Sequence, residues 1–386
     1  MIPGQITNIA KISPLKRLSP SRFLALKKCA LREVWASDRA PLLLPLSPKA
    51  RLGTVIHAIL ELSGKGQLGS DPSLQVDRVW ANLISETEGN MSSSWLDSPL
   101  VPLSRSVADF EVRRLRARKI ALAIAEASNS YVRSDLPSTG LGFEVWVETP
   151  DRTVGGRIDE IAPCTDGLKL RDYKTGLILE NDKSDENPTV KAEYQIQLKL
   201  YAALYASSFG KWPTRLEVVD LDGREFEVPC DPSRCEDLLR EAREVLVRIN
   251  NSIASAASPQ QAVRNLADPS PSNCNGCAFR PGCPAYRTTR TVSQLADWPK
   301  DVFGRVQYVR TLANGRCSLG VNLATDPTTL VRVRNLEATA SRHPALGRLK
   351  EGDLVGVFNL KADQEGRDFS ELSMTTIYCL SSSAPS

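Results

Sequence analysis

Three adjoining segments between residues 141 and 174 constrain this chain more than any other feature. LGFEVWVE (141–148), TVGGRIDEIA (153–162) and GLKLRDYK (167–174) each tend to alternate apolar and polar side chains. That period belongs to a half-buried strand. The connections, around Pro150-Asp151 and over Cys164 to Gly167, leave room only for tight turns. Strands joined so closely pair antiparallel, because a parallel return needs a long crossover. Such a sheet needs an apolar cover. VKAEYQIQLKLYAALYASSF (190–209) supplies one, a helix with Tyr194, Leu198, Tyr201 and Tyr205 at helical spacing.

Helical periodicity dominates the chain before these strands. PSRFLALKKCALREVWA (20–36) reads as one helix behind Ser19 as its cap. GTVIHAILEL (53–62) reads as a second, closed by Ser63-Gly64. Residues 74–88 and 104–133 read as two more, the last rich in arginine. RLEVVDL and EFEVPC predict a hairpin about Asp222-Gly223, and 232–256 returns to helix. Beyond about residue 300 the texture changes. FGRVQYV, GRCSLGVNL, TLVRVRNLEA, DLVGVFNLKA and FSELSMTTIYCL are short alternating runs between turn residues. They predict a small all-β barrel of the OB-like kind. A chain of 386 residues exceeds one ordinary core, so two units are expected, 1–295 and 296–386.

The strand segments also carry chemistry. Asp172 and Lys174 are two apart, so on a strand they project alike. Asp159 lies on the neighbouring strand. Two carboxylates and an ammonium can therefore converge. Close like charges call for a hard divalent cation, and Mg²⁺ prefers carboxylate oxygens. A lysine beside it can orient or help deprotonate a bound water and stabilise charge on a phosphate. This combination suits in-line hydrolysis of a phosphodiester. The spacing of Asp172 and Lys174 alone fits an ordinary hairpin salt bridge equally well.

At these residues the chain resembles the PD-(D/E)XK nuclease superfamily, in its RecB-like branch. GTVIH, with Gly53 and His57, matches that branch's GxxxH helix. GRIDEI matches the strand of the metal carboxylate, with Asp159. DYKTG matches the (D/E)xK strand with Asp172 and Lys174, and QLKLY the QxxxY helix with Gln197 and Tyr201. The ordered set spans residues 19–286. Ile158 stands where the superfamily's name gives proline, which RecB-like members often lack. The resemblance implies an α/β fold: a restriction-endonuclease-like core, its central mixed sheet flanked by helices. It implies catalytic Asp159, Asp172, Lys174, Gln197 and Tyr201, with Mg²⁺ or Mn²⁺ on His57, Asp159 and Asp172. It implies cleavage of single-stranded or end-containing DNA leaving a 5′-phosphate; an exonuclease is favoured over an endonuclease, a choice the sequence leaves open. A neutral imidazole suits Mn²⁺ better than Mg²⁺; a lone helical histidine is also an ordinary core or surface residue. Glu144 either adds a carboxylate or is simply solvated.

CNGCAFRPGC gives Cys274, Cys277 and Cys283, an incomplete tetrahedral set for which Cys29 is the candidate fourth ligand. Soft thiolates suit iron–sulfur or zinc, and the spacing leaves both open. Two short CxxC pairs are the commoner zinc pattern. The resemblance favours a [4Fe–4S] cluster, since one RecB-like subset has a cysteine before the GxxxH helix and three after the core. Ligation there would tie Cys29 to the 274–283 segment. Cys164, Cys230, Cys235, Cys317 and Cys379 read as small buried residues.

Net charge is only +4, which excludes a global polyelectrolyte but not a local basic groove. Arg305, Arg310, Arg316, Arg332, Arg334, Arg348 and Lys350 beside Phe303, Tyr308 and Phe358 could bind a single strand, rim a packed core or dock a protein. Arg105, Arg113, Arg114, Arg116, Arg118 and Arg133 line either a nucleic-acid channel or a solvated helix face. No run of about eighteen apolar residues exists, so no membrane span is expected. The N-terminus lacks a signal-peptide core, so a cytoplasmic location is expected. No GxxxxGK[ST] occurs. Relatives often work beside a helicase, so the resemblance implies a separate helicase subunit, in DNA repair or phage defence. The alternative is a non-catalytic DNA-binding or scaffold subunit of a helicase–nuclease complex.

Overall fold

The computed structural model describes residues 3–6, 11–69, 71–131, 140–180, 189–292 and 297–380. A short 3₁₀ turn leads into α1 (Phe23–Lys28) and α2 (Ala30–Ser37). One continuous helix is predicted here, and Cys29 divides it. Its backbone is extended, with φ −154° and ψ 98°, so the ladder stops and starts again. The Asn273 side-chain amide donates to the Lys28 carbonyl at 2.8 Å, satisfying an acceptor freed at the end of α1.

Helix α3 (Pro48–Gly64) begins ahead of the predicted start, with Pro48 in the first turn where its fixed φ suits a helix. Helix α4 (Pro72–Ser92) is capped by Asp71, whose carboxylate accepts from Leu74 N–H. The arginine-rich segment is two helices, α5 (Leu103–Ser106) and α6 (Phe110–Tyr131), broken where Val107 turns extended.

Strands β1 (Gly142–Glu148), β2 (Gly155–Cys164) and β3 (Gly167–Tyr173) form the predicted antiparallel succession. Helix α7 (Ala192–Phe209) crosses over to β4 (Arg215–Val219), parallel to β3, and β5 (Glu225–Val228) closes the hairpin. The result is a mixed five-stranded sheet in sequence order. Leu170 and Val218 point into a core shared with α7 and α8 (Pro232–Ala254). Tyr173 and Val219, on the opposite face, pack against α3, α4 and α6. Leu170, Leu198 and Leu216 have no exposed surface, each contributing on the order of 2 kcal/mol by burial.

Helices α9 (Pro259–Leu266), α10 (Pro271–Cys274) and α11 (Pro284–Val292) carry the chain through the cysteine-rich segment. Then follow β6 (Val302–Thr311), β7 (Cys317–Leu323), β8 (Leu330–Leu336), β9 (Leu354–Phe358), β10 (Lys361–Ala362), β11 (Asp368–Ser370) and β12 (Thr376–Cys379). They make one seven-stranded sheet, ordered β10-β11-β8-β7-β6-β9-β12. Five runs become seven strands because two of them break. DLVGVFNLKA turns at Asn359, left-handed at φ 59°, a conformation asparagine tolerates. FSELSMTTIYCL turns where Leu372 N–H donates to Thr375 Oγ1 at 2.7 Å.

This sheet is fastened to the preceding fold. Gln5 bridges to Cys379 beside β12, and Tyr378 donates to the Leu43 carbonyl at 2.8 Å. Leu43, Leu44, Tyr286, Trp298, Phe303 and Phe358 share one apolar cluster. Phe303 and Phe358, left open by the sequence between rings for bases and a packed core, are core residues covered by the N-terminal segment. No helix among the described residues is long and apolar enough to cross a membrane.

Candidate active site

The β2–β3 register builds the site. Glu160 pairs with Arg171, and one step further Asp159 comes beside Asp172. Asp159 Oδ2 accepts from the Tyr173 backbone N–H at 2.7 Å, so the carboxylate takes the place of a ladder carbonyl. Lys174 follows directly, its N–H bonded to the Val219 carbonyl at 2.9 Å, which keeps it extended along β4. Its Nζ stands 2.7 Å from Asp172 Oδ2 and donates to Gln197 Oε1 at 3.1 Å. Gln197 Nε2 in turn donates to Asp172 Oδ1 at 2.8 Å. Asp172, Lys174 and Gln197 thus form a closed triangle across β3 and α7. The Tyr194 ring, one turn earlier on α7, lies 5.0 Å from Lys174 Nζ.

Electrostatics follow from this crowding. Asp159 keeps part of its surface exposed, yet burial of its carboxyl, and then the Asp172 charge, push it well above the usual carboxylate range. Burial and then the Lys174 charge hold the His57 imidazole below its ordinary value, against the pull of Asp172. Neutral imidazole is the form that binds metal. Burial, followed by Asp172, Asp159 and Glu144, keeps the Tyr201 hydroxyl protonated as a donor. Asp172 Oδ2 is buried and faces the Lys174 ammonium at 2.7 Å. Two adjacent carboxylates with one ammonium beside them fit a hard divalent cation. Among the described residues no group of three or more His, Cys, Asp or Glu side chains stands in an arrangement that could hold a metal ion.

Two motif glycines explain how the elements come so close. A Cβ on Gly53 would stand 3.0 Å from Thr175 Oγ1, so glycine lets α3 approach the turn after β3. A Cβ on Gly156 would stand 3.1 Å from the Tyr201 ring.

Sequence reading missed Glu61 and left the roles of Arg113 and Glu144 open. Arg113 donates to the Thr175 carbonyl at 2.8 Å while paired with Asp109, so it braces the DYKTG turn. Glu144 is left-handed at φ 54°, and its charge is felt by Asp159 and Tyr201. Glu61 lies one turn after His57 on α3 and adds its charge to that of Glu144, whose carboxyl is pushed up first by burial and then by Glu61. Strain at Glu144 is the kind found at functional positions. The remaining arginines of the α6 segment are largely paired: Arg114 and Arg118 with Asp77, and Arg116 with Asp222. Arg133 lies outside the described residues.

Cys29, Cys274, Cys277 and Cys283 are all free thiols. Each lies within electrostatic reach of the other three. Burial first, and then the neighbouring thiols, raise Cys274 to about 12 and Cys283 to about 11. As thiolates these four would be soft ligands of the kind that fits iron–sulfur or zinc, although no three of them stand in metal-holding geometry. Of the other cysteines, Cys235 and Cys317 are buried as expected, whereas Cys164, Cys230 and Cys379 keep part of their surface exposed.

A helix-flanked mixed sheet brings two carboxylates and a lysine together at one strand end. Residues 17–284 match the model of the PD-(D/E)XK nuclease superfamily, and the chain belongs to that family. Membership points to nuclease activity, with DNA as substrate; such nucleases generally use divalent metal ions. No match to a curated protein was found.

Proposed function

We propose that the chain is a metal-dependent deoxyribonuclease of the RecB-like branch, acting on single-stranded or end-containing DNA, as an exonuclease. One observation carries this reading: Lys174 Nζ is fixed between Asp172 at 2.7 Å and Gln197 at 3.1 Å, with Asp159 beside them. Asp159, Asp172 and His57 would hold Mg²⁺ or Mn²⁺. Such an ion, when bound, acidifies water and neutralises phosphate charge. Lys174 orients the attacking water and meets charge developing on the phosphate. Gln197 holds Lys174 and Asp172 in register. The Tyr201 hydroxyl offers a donor to the phosphate region.

Residues 1–295 would form the nuclease unit and 296–386 an OB-like barrel, in a cytoplasmic protein working with a separate helicase in DNA repair or phage defence. Labelled single-stranded DNA tests the chemistry. The parent protein should degrade it with Mg²⁺ or Mn²⁺ and not with chelator, and Asp172→Asn should leave it intact. A parent that binds the strand but never cuts it with either metal would instead make the chain a scaffold subunit.

A [4Fe–4S] cluster on Cys29, Cys274, Cys277 and Cys283 would be structural. The extended break at Cys29 supports this, since an unbroken helix would be the cheaper conformation. Anaerobically purified protein should be brown, and Cys29→Ser should lose the colour and melt at lower temperature. Colourless protein with stoichiometric zinc overturns the cluster.

A further inference from the structure

The open face of the C-terminal sheet is built unlike an ordinary solvated surface. Tyr308 pairs with Gly320, Gly320 with Arg332, and Arg332 with Asp368, one row across β6, β7, β8 and β11. Directly paired residues project to the same side. The alternate residues Leu319, Val321 and Val333 have no exposed surface and fill the core beneath. Gly320 makes room for an aromatic ring: a Cβ there would lie 2.3 Å from Tyr308 Cε1. The Tyr308 ring therefore rests over the glycine backbone. Arg310, two residues on, sets its guanidinium 4.4 Å from the ring centroid.

Charge on this face is one-sided. Arg305, Arg310, Arg332 and Arg334 are all exposed on it. Asp368 takes Arg332 at 2.8 Å and Arg334 at 2.7 Å, and Glu351 meets only the Gln307 amide at the rim. Gln307 and Asn322 bond each other at 3.0 Å, and both carry further capacity for partners. A seated ring, a guanidinium stacked on it and surplus cations fit one ligand class. Nucleobases supply a π-face and phosphates supply the anions. A duplex hides its base faces, and an acidic protein surface would leave the ring seat unused.

We propose that this face is a second nucleic-acid site, separate from the hydrolytic one, which grips single-stranded DNA. One base takes the place of the Arg310 guanidinium on Tyr308, and Arg310 turns to a phosphate alongside Arg305 and Arg332. The proposal rests on the reading of the chain as a DNA nuclease and gives that nuclease a hold on its strand.

Binding of a labelled single-stranded oligonucleotide, read by fluorescence anisotropy in a Lys174→Ala background, tests it. Tyr308→Ala and Gly320→Val should each weaken binding about tenfold to a hundredfold, the second by driving the ring off its seat. Tyr308→Leu keeps an apolar cover and should still lose affinity. An unlabelled blunt duplex should compete poorly. Unchanged affinity in Tyr308→Ala or Tyr308→Leu, or stronger competition by duplex, overturns the site. The two readings fail separately. A parent that cuts DNA while these variants bind normally loses only the platform. A parent that never cuts, but binds through Tyr308, loses only the hydrolytic reading.

Discussion

Lys174→Ala is expected to lower metal-dependent DNA cleavage by about 10²- to 10³-fold, the loss typical of one preorganised electrostatic group. The side chain contributes charge, not bulk: its Nζ faces Asp172 and Gln197, and only 18% of it is exposed. The same substitution has a second consequence. It leaves Asp172 buried with an oxygen that accepts no hydrogen bond. An unpaired buried carboxylate is destabilising, so the variant should melt below the parent in chelator. A divalent ion offers the lost positive charge, and binding to the folded state stabilises it by mass action. Added Mg²⁺ should therefore restore melting more in Lys174→Ala than in the parent, without restoring cleavage. Rescue of stability without rescue of rate separates charge neutralisation from the lysine's role at the water. Cleavage at the parent rate would remove Lys174 from the chemistry. A melting curve indifferent to Mg²⁺ would remove the cation from Asp159 and Asp172.

Much of this site is legible in the sequence, because short turns between neighbouring strands leave little freedom of register. Once Cys164 to Gly167 is a turn, Asp159 must come beside Asp172, and Lys174 two residues on shares that end. Gln197 and Tyr201 were readable because one helix face carries both. What was not legible came from distance along the chain. Glu144, on the strand next to that of Asp159, was readable as a candidate carboxylate, but Glu61, which adds its charge from a separate helix, was not. Arg113 pairs with Asp109 four residues earlier, as any surface arginine of a helix does; only the fold puts the Thr175 carbonyl above it. Cys29 was hidden differently. Apolar residues recur at helical spacing on both sides of it, so periodicity predicts a helix straight through a residue whose backbone is extended. Phe303 and Phe358 sit in alternating strands that could present them to solvent. Residues Leu43 and Leu44, far away in sequence, arrive to cover them.

Asp301 carries the other large effect, on stability. Its carboxylate is buried and accepts from Arg280 at 2.8 and 3.2 Å, from the Tyr286 hydroxyl at 2.7 Å and from Asn359 N–H at 2.9 Å. The Arg290 guanidinium donates to its backbone carbonyl. Three segments meet on this one residue: the cysteine-rich stretch, the entry to β6 and the turn after β9. Burial alone would push the carboxyl up, but Arg280 and the surrounding donors outweigh it and hold it below its ordinary value. A lowered folded value means that the stabilisation is present above the unfolded carboxylate value, near pH 4, and fades only as pH falls through the folded one. Between about pH 5 and 8 this contribution should be flat. Asp301→Asn keeps the shape but strands the buried Arg280 charge, so a loss of about 3–5 kcal/mol in chemical denaturation is expected. Replacing both partners, as Arg280→Met with Asp301→Leu, removes the desolvated charges together but leaves the Tyr286 hydroxyl and Asn359 N–H without their acceptor, so it should recover only part of that loss. Recovery distinguishes an ion pair that specifies how the C-terminal sheet docks from one that supplies net stability. If the single variant unfolds at the parent's denaturant midpoint, Asp301 does not fasten these segments. Because Arg280 also donates to the Cys277 carbonyl at 3.3 Å, Asp301→Asn should loosen the cysteine segment as well, read as faster loss of any bound metal to chelator.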